Sequence, residues 1–268
     1  MKNNYIHKRK QLIHSTIQNL FFGNNIVIVG SSFKVGSSWL HNMIKDYGRF
    51  QNNIAPTAFK ENGGAFIINN ESLNYLNNLK GHHIFKSHSI PPDSHNFNNR
   101  IKFISIYRDL RDAIVSHSYY KSNIPKKYGG WSKAYKNLPI KERIEIIIKT
   151  ADPFFERLKY WYETDLAFKI SYEDLIANPE FELTKIIDYL KLKNNPKRLK
   201  KIIARHSFKN RSGRKPGSAD NNSFLRKGIS GDWKNYFDDA LIHLFKTARN
   251  SRWNKLLVDM GYENDLNW

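Results

Sequence analysis

The sequence predicts an α/β fold, a central parallel β-sheet flanked by helices, and three observations predict it. Short apolar, β-branched runs recur at Ile26 to Val29, at 101 to 107 (IKFISIY) and at Ala167 to Ser171, and helical spacing follows them. A strand accepts such a continuous run when helices cover both its faces. The first run passes through a Gly/Ser loop directly into a helical pattern at Trp39-Leu40-His41-Asn42-Met43-Ile44, giving strand, loop, helix. The length of 268 residues suits one α/β domain with loop insertions, and no internal repeat divides it, so the expectation is a single domain over 1–268.

Residues 26 to 40 read IVIVGSSFKVGSSWL, and the loop within them has the chemistry of a phosphate cradle. Glycines permit close backbone approach, and the loop ends at a helix N-terminus, where unpaired N–H groups and the helix dipole favour an anion. Lys34 supplies a point charge, Val35 and Gly36 backbone, Ser37 and Ser38 hydroxyls, and Trp39 a ring suited to stacking on a base. The nucleoside triphosphatase pattern G-x-x-x-x-G-K-[ST] places lysine after its second glycine, beside a hydroxyl that holds Mg²⁺. Here Lys34 precedes Gly36, which argues against a standard kinase or ATPase. A plain connector with Trp39 in the core remains the alternative for the loop taken alone.

Other elements follow in order. Residues 1 to 22 are basic and loosely amphipathic, compatible with a packing helix or an arm. Residues 49 to 72 are rich in Asn and Gly, with Phe50, Phe59 and Phe66, and read as a loop able to shape a pocket. Within His82 to Pro92 the chain reads as a short strand ending in Lys86-Ser87-His88 before a proline stop; Lys86 and His88, two apart, share a face. At the C-terminal edge of a parallel sheet that face meets the ligand crevice, which makes His88 a candidate general base and Lys86 a candidate for developing charge. A surface histidine is the competing reading.

The strand at 101–107 leads into Arg108-Asp109-Leu110-Arg111-Asp112, a cation and a helix start at the sheet edge, with surface ion pairs as the alternative. Tyr119, Tyr120, Tyr128, Gly129, Gly130 and Trp131 suggest one wall of an acceptor site. Helices are expected from Glu142 to Lys149, from Asp152 to Thr164 and, after Asn178-Pro179, from Glu182 to Leu190. Ser207-Phe208 follows a helical stretch, and 212–223 reads as a flexible loop. Arg226-Lys227-Gly228 offers two cations and a close-approaching backbone to a phosphate, and the last thirty residues read as a terminal helix carrying Leu241, Leu244, Phe245 and Ala248 on one face.

Composition bounds the partners. The net charge of +20 suits an anionic ligand, but Lys, Asn and Ile are abundant throughout, so a solvated basic surface accounts for much of it. No arginine-rich arm or other nucleic-acid-binding signature is present. With no cysteine there is neither a disulfide nor a thiolate site. No stretch has the length of a membrane span or the apolar core of a signal peptide, so a cytoplasmic protein is expected.

Taken together, Lys34 to Leu40, Lys86-Ser87-His88, Arg108 to Ser116, Tyr172-Glu173-Asp174, Ser207-Phe208, Arg226-Lys227-Gly228 and Gly231-Asp232-Trp233 resemble, in order, the sulfotransferases that use 3′-phosphoadenosine 5′-phosphosulfate (PAPS), in particular the cytosolic type. The resemblance implies a P-loop NTPase-like fold and transfer of a sulfuryl group to a hydroxyl or amine of a small-molecule or carbohydrate acceptor, releasing adenosine 3′,5′-bisphosphate (PAP) without a metal. It implies that Lys34, Val35, Gly36, Ser37 and Ser38 hold the 5′-phosphosulfate, that Trp39, Tyr172 and Phe208 contact adenine, with Ser207 beside them, and that Arg108, Ser116, Arg226, Lys227 and Gly228 hold the 3′-phosphate. His88, Lys34 and Lys86 would be catalytic. After Asp232-Trp233-Lys234-Asn235 the chain lacks the dimer motif of many animal members, so a monomer or weak dimer is expected. The competing functions are a P-loop kinase of a small metabolite and a non-catalytic basic nucleotide-binding protein.

Overall fold

The computed structural model of the chain describes residues 25–52, 56–61, 64–92, 97–123, 133–248 and 251–268. The segment 1–22 and the stretch Tyr128 to Trp131, both given roles above, lie outside the described residues. Five parallel strands form one sheet in the order β2-β3-β1-β4-β5: β1 Ile26–Gly30, β2 Gln51–Asn52, β3 His83–Ser87, β4 Ile101–Tyr107 and β5 Ala167–Ser171. The register sets Gly30 of β1 against Ser87 of β3 and Ser105 of β4. The loops leaving β1, β3 and β4 therefore emerge side by side at one sheet edge. Because the strand order reverses at β1, that edge holds the crevice where open α/β sheets bind ligands.

The strand pattern follows from two-sided burial. Val27 and Val29 face one core with Leu40, Met43, Ile104 and Ile106, while Ile26 and Ile28 face a second with Phe66, Phe85, Phe103 and Trp161. Alternate residues of one strand thus serve opposite layers. Helix α1, Ser37–Gly48, packs against a later helix: Trp39 Nε1 donates to the His206 carbonyl at 2.8 Å, and His206 Nε2 meets Asp46 at 2.8 Å. The remaining helices of five or more residues among those described are α2 Asn70–Asn78, α3 Leu110–Asn123, α4 Ile140–Thr150, α5 Asp152–Glu163, α6 Tyr172–Ala177, α7 Pro179–Tyr189, α8 Pro196–His206, α9 Phe208–Ser212, α10 Asp239–Thr247 and α11 Arg252–Asp259.

Three expectations change. Phe50 and Phe66 are core residues, 5% and 1% exposed, with Phe66 against Phe85 at 4.6 Å between ring centroids, so neither lines a pocket. Helix α2 begins inside the segment expected to be loop, started by a capping box in which Asn69 accepts from the Ser72 backbone and Ser72 from that of Asn69. The single terminal helix is two: α10 ends at Thr247, and the chain passes through Ser251 at a φ of 61° before α11. Residues 212–223 form turns and bends, and the Arg214 guanidinium donates to the carbonyls of Ser218, Leu225 and Arg226.

Candidate active site

The loop between β1 and α1 turns sharply at Lys34, at a φ of 61°, and at Gly36, at 95°. Only glycine fits the second position, because a Cβ there would lie 2.6 Å from the Tyr172 ring. The Gly36 carbonyl then accepts from the backbone N–H of Trp39 and Leu40 at 2.9 and 3.1 Å, which starts the helix. Trp39 meets Tyr172 edge to face at 6.0 Å. The Val35 side chain is fully buried in the core, so that only its backbone is left to face a ligand.

β3 delivers Lys86 and His88 to the same loop. Lys86 Nζ donates to Ser38 Oγ at 3.2 Å, and burial lowers its pKa, with Glu61 acting the other way. His88, just past the strand, is 5% exposed, and its Nδ1 lies 3.0 Å from the Ser31 carbonyl. A carbonyl only accepts, so Nδ1 carries the proton and Nε2 keeps its lone pair. Burial, then the charges of Lys86 and Arg157, push the His88 pKa down to about 3, so the ring is neutral at working pH.

Lys34 sits among cations. Burial and then Arg108, Lys86 and Arg226 lower its pKa to about 7, and its ammonium lies 4.5 Å from the Tyr120 ring centroid and 4.0 Å from that of Phe224. Arg108, at the end of β4, donates to the carbonyls of Lys34 at 3.3 Å and Ile229 at 2.8 Å, and its guanidinium lies over Tyr172 at 4.3 Å. Arg226 bonds Asp232 and, at 3.3 Å, the Tyr236 hydroxyl; Lys227 bonds the other Asp232 oxygen. Arg108 Nε and Arg226 Nε are buried without a hydrogen-bond partner among the described residues. Unspent donors on buried cations point to an anion.

Buried carboxylates hold these cations in place, Asp232 at Arg226 and Lys227 and Asp112 at Arg108. Asp112, 1% exposed, accepts from the backbone N–H of Gly231 at 2.7 Å and Trp233 at 2.9 Å and pairs with Arg108 at 3.4 Å. Arg111, also buried, pairs with Asp109 at 2.8 Å and lies over Trp233 at 3.7 Å. The Arg108–Asp112 and Arg111–Asp109 pairs are thus interior supports, whereas the sequence left surface ion pairs as one reading.

Beside His88 an aromatic wall is formed by Phe33, His117, Tyr120 and Phe154. The Phe33 ring lies 4.4 Å from His88 and 5.8 Å from His117, and His117 lies 5.4 Å from Phe154.

The family model described as "Sulfotransferase domain" matches residues 24–255. The chain belongs to the sulfotransferase family. The protein "Sulfotransferase 1 family member D1" of Mus musculus is 29% identical to it over 192 residues, 64% of this sulfotransferase and 62% of the relative. "Flavonol 3-sulfotransferase" of Flaveria bidentis is 28% identical over 182 residues, 59% and 56% of the two chains. The alignments therefore span about three-fifths of the length of these relatives. The fold is shared with the crystal structure of mouse sulfotransferase SULT7A1 complexed with PAP, at a TM-score of 0.60 and 20% identity over 88% of each chain.

In this chain the expected site residues from five parts of the sequence converge at one sheet edge: Lys34 to Trp39, Lys86 with His88, Arg108, Tyr172, and Arg226 with Lys227. Gly228 packs on Phe208 so closely that a Cβ would come 2.2 Å from the ring, and Ser207 caps α9 by accepting from the Asn210 N–H at 3.3 Å. Ser116 is half-buried on α3, eight residues beyond Arg108. Sequence reasoning missed Asp112, Asp232, Phe33, His117, Phe154 and Arg157 as parts of the site. The i, i+4 spacing of Arg108 and Asp112 was the one available signal.

Among the described residues, no group of three or more His, Cys, Asp or Glu is placed to hold a metal ion, and no helix is long and apolar enough to cross a membrane.

Proposed function

We propose that the chain moves the sulfuryl group of PAPS to a hydroxyl or amine of a small-molecule or carbohydrate acceptor, with His88 as general base. The observation that carries this reading is the state of His88: buried, neutral, its Nδ1 proton committed to the Ser31 carbonyl and its Nε2 left to accept, on the loop edge that also carries Lys34 and Lys86. The cations fit the donor. Lys34, Gly36, Ser37 and Ser38 would hold the 5′ end, Arg108, Arg226, Lys227 and Ser116 the 3′-phosphate, and Trp39, Tyr172 and Phe208 the base. The two buried, unpartnered Nε groups are the part of the site that a second phosphate completes. Bound there, the donor supplies an activated sulfuryl group.

His88 takes the acceptor proton as the hydroxyl attacks, while Lys34 and Lys86 stabilise charge on the sulfuryl oxygens and the leaving phosphate. A base with a pKa of about 3 is weak; negative charge delivered beside Lys86 offsets the smaller, electrostatic part of that depression, while burial, its largest cause, stays in place. Orientation of the reacting groups supplies the rest of the rate.

The test has two arms. PAP should raise the melting temperature more than ATP or adenosine 5′-phosphate without added Mg²⁺, by mass action. His88→Ala should keep that shift and lose at least about a hundredfold in turnover, the usual contribution of a positioned base. A shift only with Mg·ATP would favour the kinase reading, and full turnover by His88→Ala would remove the base assignment.

A further inference from the structure

The wall of the acceptor side carries a cation that the donor does not use. Helix α5 lies along the loop edge: its Phe154 carbonyl accepts from Ser32 Oγ at 2.6 Å, and its Trp161 Nε1 donates to the Ser89 carbonyl at 3.2 Å. Ser32 and Ser89 are the chain neighbours of Phe33 and His88. Arg157 stands three residues after Phe154 and four before Trp161, on the same helix face, and so sits between these two anchors. Its guanidinium lies 5.5 Å from the Phe33 ring centroid, and His88 lies 4.4 Å from the same ring. Its charge is also near enough to lower the His88 pKa.

Arg157 is poorly satisfied. Among the described residues its nearest acid is Glu61, at 3.8 Å, and it donates no hydrogen bond. That separation is beyond hydrogen-bond reach, so the planar fork of donors is unspent. The same Glu61 oxygen accepts from Ser89 Oγ at 3.3 Å, which holds the carboxylate beside Arg157 without bringing it into contact. Both side chains of the pair are partly accessible, 28% and 19%. An always-charged guanidinium with unspent donors favours a carboxylate over a neutral group.

We propose that Arg157 is an acceptor-binding residue, and that the acceptor is a hydroxyl-bearing ring carrying a carboxylate or comparable acid group. The hydroxyl is presented to His88, the ring packs on Phe33, and the acid takes the bidentate contact that Glu61 leaves unmade. This rests on the sulfotransferase reading of the site, and it narrows the acceptor to an anionic class.

The experiment measures binding to the PAP-loaded protein, which needs no turnover. Isothermal titration would compare 3-(4-hydroxyphenyl)propanoate and 4-hydroxyphenylacetate with their carboxamides, for the natural chain and for Arg157→Gln and Arg157→Lys. The acids should bind at least about tenfold tighter than the amides, Arg157→Gln should bring the ratio near one, and Arg157→Lys should restore part of it. PAP affinity should be equal in all three proteins. Equal binding of acid and amide to the natural chain, an acid preference that survives Arg157→Gln, or binding of neither compound would overturn the proposal. Failure of PAP itself to bind would instead overturn the donor reading beneath it, and it is read in a separate titration.

Discussion

Replacing His117 by phenylalanine isolates one buried histidine. His117 is 6% exposed, its ring lies among Phe33, Tyr120 and Phe154, and its Nδ1 is buried without a hydrogen-bond partner. Burial first, then the charges of Lys121 and Lys34, push its pKa down to about 3 from the ordinary value of 6.5. The unfolded chain therefore takes up a proton below pH 6.5 that the folded chain refuses. Stability from this residue is intact above pH 6.5 and is lost as pH falls towards 3. At pH 5 the unfolded state is favoured by about 1.5 pKa units, or about 2 kcal/mol.

His117→Phe removes that term and keeps a flat aromatic ring, slightly larger, among the same neighbours. The variant should match or exceed the natural chain at pH 8, where an unpaired nitrogen is exchanged for carbon, and gain about 2 kcal/mol more at pH 5. For a chain of this size that is roughly 4–8 °C of additional melting temperature at pH 5. The assay is thermal unfolding of both proteins at pH 8 and pH 5, and the other histidines cancel in the comparison. Parallel loss of stability by the two proteins between those pH values would refute the reasoning, because it would mean that His117 protonates without cost in the fold.

Two further outcomes are expected. Arg108→Lys keeps a counter-charge for Asp112 but loses the planar fork, so the dissociation constant for PAP should rise ten- to a hundredfold, about 1.4–3 kcal/mol, with adenosine 5′-phosphate little affected; an equal loss for both nucleotides would place Arg108 elsewhere. Lys34, with its pKa held at about 7 by burial and by Arg108, Lys86 and Arg226, should gain a proton when phosphates arrive, so titration of PAP at pH 8 should give different apparent enthalpies in Tris and HEPES. Identical enthalpies would mean that Lys34 is already charged at that pH.

The sheet was legible where burial writes a pattern. β4 at 101–107 and β5 at 167–171 have the bounds their apolar runs suggest, since two covered faces demand such residues. β2 was not, because Gln51 and Asn52 join the edge through backbone pairing to His83 and Ile84, and two polar residues carry no period. Phe66 was misread for a related reason: a bridge to Ser87 carries an irregular segment into the core. In the site, the cations stood out because loop and strand end present them in short motifs. Their counter-charges and the aromatic wall did not, since Asp112 meets Gly231 across 119 residues and Phe33, His117 and Phe154 come from three separate segments.

The reach of Asp112 has a consequence for how the molecule comes into being. All five strands lie within residues 26–171, and they and their helices can assemble while the remaining chain is still being synthesised. The anchors at Gly231 and Trp233 arrive some 120 residues after Asp112 and close long loops on the donor side. A nascent chain thus owns its scaffold well before it owns a nucleotide site. If the proposed donor reading holds, affinity for a bisphosphate marks a chain whose distant segments have met, with the buried Asp112 carboxylate as one of the fastenings that joins them.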